Sequence, residues 1–71
     1  MELFLIMAEY EGHRYFFEPL AGSWELETME ILEDLHKFKI PKESLKIHLR
    51  EAKELWHDDK VDAVEFNGGA V

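Results

Sequence analysis

The sequence has 71 residues, which suffices for one small domain with a thin hydrophobic core. It is 46% hydrophobic and 13% aromatic, a composition that disfavours intrinsic disorder. Sixteen acidic against eight basic residues give a net charge of −8, which repels nucleic-acid phosphates and anionic membranes. The absence of cysteine excludes disulfide scaffolds, thiol catalysis and cysteine-ligated metal sites.

The sequence shows no sign of membrane insertion or secretion. Its longest apolar run, Leu3 to Ala8, is far shorter than the ~20 residues of a membrane-spanning helix. No basic region precedes an apolar one at the N-terminus, so no secretory signal is predicted. We therefore expect a cytoplasmic protein without a membrane anchor, folded as one domain over residues 1–71 with a loose tail at residues 67–71.

The first part of the sequence predicts a β-hairpin. Leu3 to Tyr10 is apolar in both of its alternating sets of side chains, as in a strand that is covered on both faces. Gly12 supplies the positive φ of a short loop, and Arg14 to Glu18 supplies the returning strand. Phe16 and Phe17 are neighbours in that strand and must point to opposite faces. One of them is therefore expected on a sheet face that the helices leave open.

The next segment predicts an amphipathic helix. From Ser23 to Phe38, apolar side chains recur at helical spacing and acidic side chains occupy the opposite face. Leu26 and Met29 lie off the apolar stripe. The alternative is therefore an extended first turn, with the helix beginning near Thr28.

A second helix and a final strand are predicted after Pro41, because the residue before a proline is pushed away from helical angles. Lys42 to His57 favours helix, although residues 45–50 also alternate like a strand. A turn at residues 57–60 leads to a strand over Val61 to Phe66. The predicted order is β-β-α-α-β. It describes an α+β domain in which the hairpin and the C-terminal strand form a sheet, with both helices on one face.

Charge is unevenly distributed along the sequence. Nine acids and one base fall in residues 1–34, whereas six bases and two acids fall in residues 35–53. On the first predicted helix the acids form a ridge. Such a ridge suits docking on a basic surface of another protein, because its carboxylates occupy sites built for phosphates and net charge steers the encounter. The alternative is a solvated face that only keeps the protein soluble.

We predict that partner contacts combine this ridge with aromatic anchors. Five Phe, two Trp and two Tyr are more rings than two helices on a three-stranded sheet readily hide, and interfaces concentrate aromatic residues at their centres. Alternatively the rings only fill the core, or they form a homodimer surface on the open sheet face. The predicted partner-binding residues are Glu27, Glu30, Glu33, Asp34, Trp24, Phe16 and Trp56.

Nucleic-acid binding is the alternative function. Four bases lie on one flank of the second predicted helix, at Lys42, Lys46, Arg50 and Lys53. They make a thin footprint within a protein of net charge −8, so nucleic acid is the less favoured partner.

No metal site is predicted. Glu33 with His36 and Glu54 with His57 have the Glu-x-x-His spacing of dimetal sites, but these side chains point away from the apolar faces of their helices. The aspartate-rich string at residues 58–62 lacks the glycine and the alternating ligand order of a calcium-binding loop.

No catalytic group or cofactor is predicted either. Neither Ser23 nor Ser44 lies in a nucleophile elbow, and His48 beside the apolar stripe suits packing better than general-base catalysis. We therefore expect a non-enzymatic interaction module, a small acidic adaptor or inhibitor. By size and charge such a module is of the kind that mobile elements, including phages, use to block host nucleic-acid-processing machinery. No motif in the sequence identifies a family.

Overall fold

Five strands and two α-helices make up the described part of the protein. The computed structural model describes residues 2–56 and 60–66. In chain order the elements are β1 (Leu3–Tyr10), β2 (His13–Glu18), β3 (Ser23–Leu26), α1 (Met29–Glu33), a 3₁₀-helix (His36–Phe38), β4 (Ile40–Pro41), α2 (Lys42–Glu54) and β5 (Val61–Phe66). Strand pairing within these ranges is antiparallel, and none of the helices in them is long and apolar enough to cross a membrane.

β1 is the central strand of the sheet. Residues Leu3 to Ala8 pair with β5 along one edge, and the other edge pairs with β2 at one end and with β4 at the other. The loop between β1 and β2 has two residues, Glu11 at φ 50° and Gly12 at φ 81°. Positive φ at both positions is the geometry of a type I′ hairpin, whose twist matches that of the flanking strands. The predicted hairpin is confirmed.

Each face of the sheet has its own hydrophobic core, because successive side chains of a strand point to opposite faces. The α2-side core contains Ile6, Ala8, Phe17, Ile40, Ala52 and Val61, joined by Trp24, Leu45, Leu49 and Trp56. The α1-side core contains Leu5, Phe16 and Phe38, joined by Met7, Ile31, Leu35 and Phe66. Phe17 and Phe38 are fully buried. Removing one such side chain from water contributes about 1.5–3 kcal/mol to stability.

The α+β class and the C-terminal strand are confirmed, and residues 45–50 are helical. The two helices, however, pack on opposite faces of the sheet rather than on one. α1 places Ile31 on the Leu5 side of β1, whereas α2 places Leu49 on the Ile6 side. The physical reason lies in β1, since both of its alternating sets are apolar and each set leaves water only when its own face is covered.

The helix predicted over Ser23 to Phe38 is wrong in its first half, and in its second half it is interrupted after Glu33, where Asp34 is extended and a separate 3₁₀-helix follows at His36–Phe38. Ser23–Leu26 forms β3, which pairs with β2 and places Trp24 opposite Phe17. The pairing satisfies backbone groups at the edge of β2 and brings the indole to the α2-side core. The helical periodicity of the sequence indicates neither the β2–β3 pairing nor the packing of the Trp24 indole. The alternative start near Thr28 is confirmed, since this residue is the N-cap of α1.

β4 is a two-residue strand that the sequence does not predict. It pairs with Leu3 and Phe4 of β1 and so brings the start of α2 to the edge of the central strand. Of the predicted turn at residues 57–60 only Lys60 is described, and the predicted tail at residues 67–71 lies outside the described residues.

Candidate functional site

The chain from Leu26 to Asp34 leaves β3, forms α1 and is held at its start by two contacts. The backbone N–H of Glu27 donates to the Arg14 carbonyl at 2.8 Å, and its carboxylate lies 2.6 Å from the Arg14 guanidinium. Thr28 then caps α1, because its hydroxyl accepts the Ile31 N–H at 3.2 Å. The Glu27 carboxylate therefore forms an ion pair with Arg14 and does not belong to an acidic ridge on α1.

α1 has only five residues and presents a mixture of apolar and acidic side chains to solvent. Ile31 packs against the α1-side core. The exposed fractions of the apolar side chains are 46% for Leu26, 77% for Met29 and 46% for Leu32. Three acidic side chains are exposed and have no ion pair within the described residues, namely Glu30, Glu33 and Asp34. We call residues 26–34 the acidic–apolar segment.

An open cleft of about 650 Å³ lies where β3 ends and α1 begins. A lysine or arginine side chain suits its lining, because the aliphatic stem can rest on apolar groups while the cationic head meets carboxylates. The cleft is open to water, so each such ion pair contributes only about 0.2–1 kcal/mol. The lining residues are Glu25, Leu26, Thr28, Glu30, Ile31, Asp34, His36 and Lys37.

Lys37 ties the 3₁₀-helix to the sheet beside this cleft. Its ammonium lies 3.5 Å from a Glu18 oxygen and 3.6 Å from a Glu25 oxygen. A hydrogen bond between the two carboxyl groups raises the pKa of Glu25 and lowers the pKa of Glu18. The two carboxylates in turn raise the pKa of Lys37. Both glutamates are therefore engaged within the molecule, unlike Glu30 and Glu33 of α1, while the Asp34 carboxylate accepts the His36 N–H at 3.0 Å.

None of the aromatic residues predicted as anchors is exposed beside the acidic residues of α1. Phe16 is 3% exposed and packs on Phe38 with ring centroids 5.8 Å apart, so it is not available at the surface. Trp24 and Trp56 lie on the α2 side with ring centroids 4.7 Å apart. The Trp24 indole N–H also donates to the Ala52 carbonyl at 3.1 Å. The sheet therefore separates both tryptophans from α1.

The exposed apolar residues of the acidic–apolar segment are candidate anchors that sequence reasoning missed. Leu26 and Met29 lie off the stripe of the predicted helix, and this was the available signal. In the predicted sixteen-residue helix, these two apolar side chains would lie on the charged side. A strand that ends at Leu26, followed by a helix that starts at Met29, places them at the surface instead.

The basic residues predicted on α2 are all exposed. Lys42 lies 3.3 Å from a Glu2 oxygen. The other three have no ion pair in the part of the chain that the structure describes, and we call Lys46, Arg50 and Lys53 the basic stripe. Together with Leu49 and Glu54 they line a shallow groove of about 420 Å³.

Among the described residues, no group of three or more metal-ligating side chains is placed to hold an ion. Glu33 ends α1 and His36 begins the 3₁₀-helix, and both side chains are exposed. The pair of Glu54 with His57 and the aspartate string at residues 58–62 fall partly outside the described residues.

Function has to be inferred from the chemistry of the acidic–apolar segment and the basic stripe. A scan of family models, a search of curated proteins and a search of solved structures each return no significant match to this chain.

Proposed function

We propose that the protein is a non-enzymatic interaction module that binds a basic surface of a protein partner through its acidic–apolar segment. One observation carries the proposal. Within nine residues the segment exposes three apolar side chains and three carboxylates that have no ion pair among the described residues. Met29 and Leu32 lie one helical turn apart, and exposed apolar side chains grouped in this way favour an interaction site over scattered single residues.

The two kinds of side chain contribute differently to binding. Full burial of a wholly exposed leucine or methionine side chain contributes about 1.5–3 kcal/mol. Met29 is 77% exposed and offers most of this, whereas Leu26 and Leu32 are each 46% exposed and offer about half, and together the three supply most of the affinity. Exposed ion pairs contribute about 0.2–1 kcal/mol each, so the carboxylates act mainly on orientation and association rate. The net charge of −8 adds long-range attraction towards a basic partner.

The proposal requires no catalysis. The cleft beside the segment is open to water. At its edge the pKa of Glu25 is raised chiefly by its hydrogen bond with Glu18, and the pKa of Lys37 is raised by the carboxylates of Glu18 and Glu25. They belong to a contact that holds the 3₁₀-helix on the sheet.

If the protein acts as an inhibitor, the partner surface that it binds is one that otherwise binds nucleic acid. Glu30 and Glu33 lie one helical turn apart, with about 5–6 Å between their Cβ atoms. Their carboxylates then take the place of phosphates on basic side chains of the partner, while Met29 and Leu32 contact apolar surface between those side chains.

A displacement experiment tests this inhibitory binding. The probe is a lysine- and arginine-rich peptide with interspersed leucines, bound to a fluorescent oligonucleotide, and the readout is oligonucleotide anisotropy as protein is added. The wild type is expected to displace the oligonucleotide. The variants E30Q/E33Q and M29S/L32S are expected to displace it less well, because one loses charge and the other loses apolar contact.

The matched control is D62N/E65Q, which removes two exposed carboxylates from β5 instead. It is expected to displace the oligonucleotide nearly as well as the wild type. Equal displacement by E30Q/E33Q and D62N/E65Q would show that net charge acts alone, and would contradict a role for the segment.

Nucleic-acid binding through Lys42, Lys46, Arg50 and Lys53 is the second candidate function, supported by the exposure of all four side chains. This function predicts that an immobilised oligonucleotide retains the wild type. Retention is expected to weaken as salt rises and to be reduced by Arg50→Ala.

A further inference from the structure

The two charged surfaces of the protein lie on opposite faces of its sheet. The acidic–apolar segment contains α1, which packs on the Leu5 side of β1, whereas the basic stripe belongs to α2, which packs on the Ile6 side. Within the described ranges the exposed charges of both surfaces lack ion-pair partners. Each molecule thus carries an anionic and a cationic surface that cannot reach each other.

The spacing of charges on the two surfaces matches. Glu30 and Glu33 are one turn apart on α1, and Lys46, Arg50 and Lys53 follow one another at intervals of one turn on α2. Residues three or four apart on a helix have about 5–6 Å between their Cβ atoms. Two carboxylates of one molecule can therefore meet two cations of another without a change in either backbone.

The apolar parts of the two surfaces match as well. The groove beside the basic stripe has Leu49 in its lining and the aliphatic stems of Lys46 and Arg50 as walls. Met29 is 77% exposed, and methionine is the side chain that adapts most readily to a shallow apolar groove. A phosphate backbone would leave this apolar surface in water, so the groove favours a protein occupant over nucleic acid.

We propose that the basic stripe is the docking surface for the acidic–apolar segment of a second copy of this chain. Because the two surfaces lie on opposite faces, two molecules cannot satisfy both contacts with each other, and association proceeds head to tail. The net charge of −8 on each copy opposes the contact, so self-association is weak and depends on concentration. This proposal rests on the same acidic–apolar segment as the proposed function, but it requires no protein other than a second copy of this chain.

The test measures weight-average mass by sedimentation and light scattering over a concentration series up to about 1 mM. The wild type is expected to rise above the monomer mass. E30K/E33K and K46E/R50E each place like charges across the contact and are expected to weaken self-association about tenfold or more. An equimolar mixture of these two variants restores opposite charges across the contact and is expected to regain the wild-type mass.

The matched control is D62K/E65K, which changes the net charge as much as E30K/E33K does but on exposed residues of β5. It is expected to keep the self-association of the wild type, and circular dichroism establishes that each variant is folded. If E30K/E33K associates as well as D62K/E65K, reduced net repulsion governs the behaviour and the proposal is overturned.

Two other outcomes also overturn it. One is a wild type that stays monomeric throughout the series. The other is a K46E/R50E variant that loses binding to an oligonucleotide while its self-association is unchanged, which would make the stripe a nucleic-acid site. Neither outcome affects the peptide displacement that tests the proposed function, so the two proposals can fail separately.

Discussion

Phe16 and Phe17 are consecutive residues of β2, yet they belong to two separate cores. The Phe16 ring lies 5.8 Å from the Phe38 ring beneath α1 and the 3₁₀-helix, whereas the Phe17 ring lies 5.4 Å from the Trp24 ring on the α2 side. A strand that is buried on both faces thus joins the two surfaces proposed for binding. The pair offers a way to perturb each surface separately.

Phe16→Leu and Phe17→Leu are each expected to lower the free energy of unfolding by about 1–2 kcal/mol, since each removes part of a buried ring and leaves a small cavity. Their local effects are expected to differ. Phe16→Leu is expected to speed amide hydrogen exchange in α1, and Phe17→Leu to speed it in α2. Identical exchange patterns would contradict two independently covered faces.

Thr28→Ala is expected to destabilise the protein by about 1 kcal/mol, because the Ile31 N–H loses its acceptor. The effect should concentrate in α1, whose five residues are too few to form a helix without tertiary support. Urea unfolding measures the total loss, and NMR chemical shifts of residues 29–33 report the helix. Thr28→Ser keeps the hydroxyl and is expected to preserve both; if it behaves like Thr28→Ala, the cap is not the cause.

Trp24→Phe is expected to cost about 1 kcal/mol or slightly more, as the Ala52 carbonyl loses its indole donor. Ala52 lies in the last turn of α2, where its carbonyl accepts the Leu55 N–H at 3.2 Å in addition to the indole N–H. Urea unfolding gives the cost, and amide exchange of residues 50–54 shows where it falls. If amide hydrogen exchange in α2 is unchanged, the indole contributes only through packing with Phe17 and Trp56.

The carboxyl groups of Glu18 and Glu25 are expected to titrate on opposite sides of the ordinary glutamate pKa of 4.5, because their hydrogen bond lowers the first pKa and raises the second. The lowered pKa of Glu18 favours folding above pH 4.5, and this contribution is lost as pH falls through its folded value. The raised pKa of Glu25 favours folding below pH 4.5, and this contribution is lost as pH rises through its folded value. Carbon-13 NMR of the two carboxyl carbons measures both.

Glu18→Gln is the matched control for this titration. The introduced amide can donate to the Glu25 carboxylate, which the Lys37 ammonium also faces at 3.6 Å. The pKa of Glu25 is then expected to fall below its wild-type value. A Glu25 pKa that stays raised in this variant would assign the shift to burial instead of to Glu18.

The sequence by itself determined the elements whose signals are local. Gly12 marks the hairpin, because glycine supplies the positive φ that a short loop requires. The apolar positions of α2 repeat at helical spacing, and flanking turn-type residues predict the strand at Val61–Phe66. The partner-binding role of Glu30, Glu33 and Asp34 and the nucleic-acid role of α2 stay predictions.

Only the tertiary structure determines that Ser23–Leu26 is a strand and that the two helices cover opposite faces of the sheet. It also determines which residues make up the candidate surfaces. Ser23–Leu26 is extended because β2 offers it an edge, and this pairing is invisible to helical periodicity. Glu27 leaves the predicted acidic surface because Arg14 reaches it through space. Strand pairing and ion pairing join residues far apart in the sequence, so which charges and apolar groups remain for a partner follows only from the folded chain.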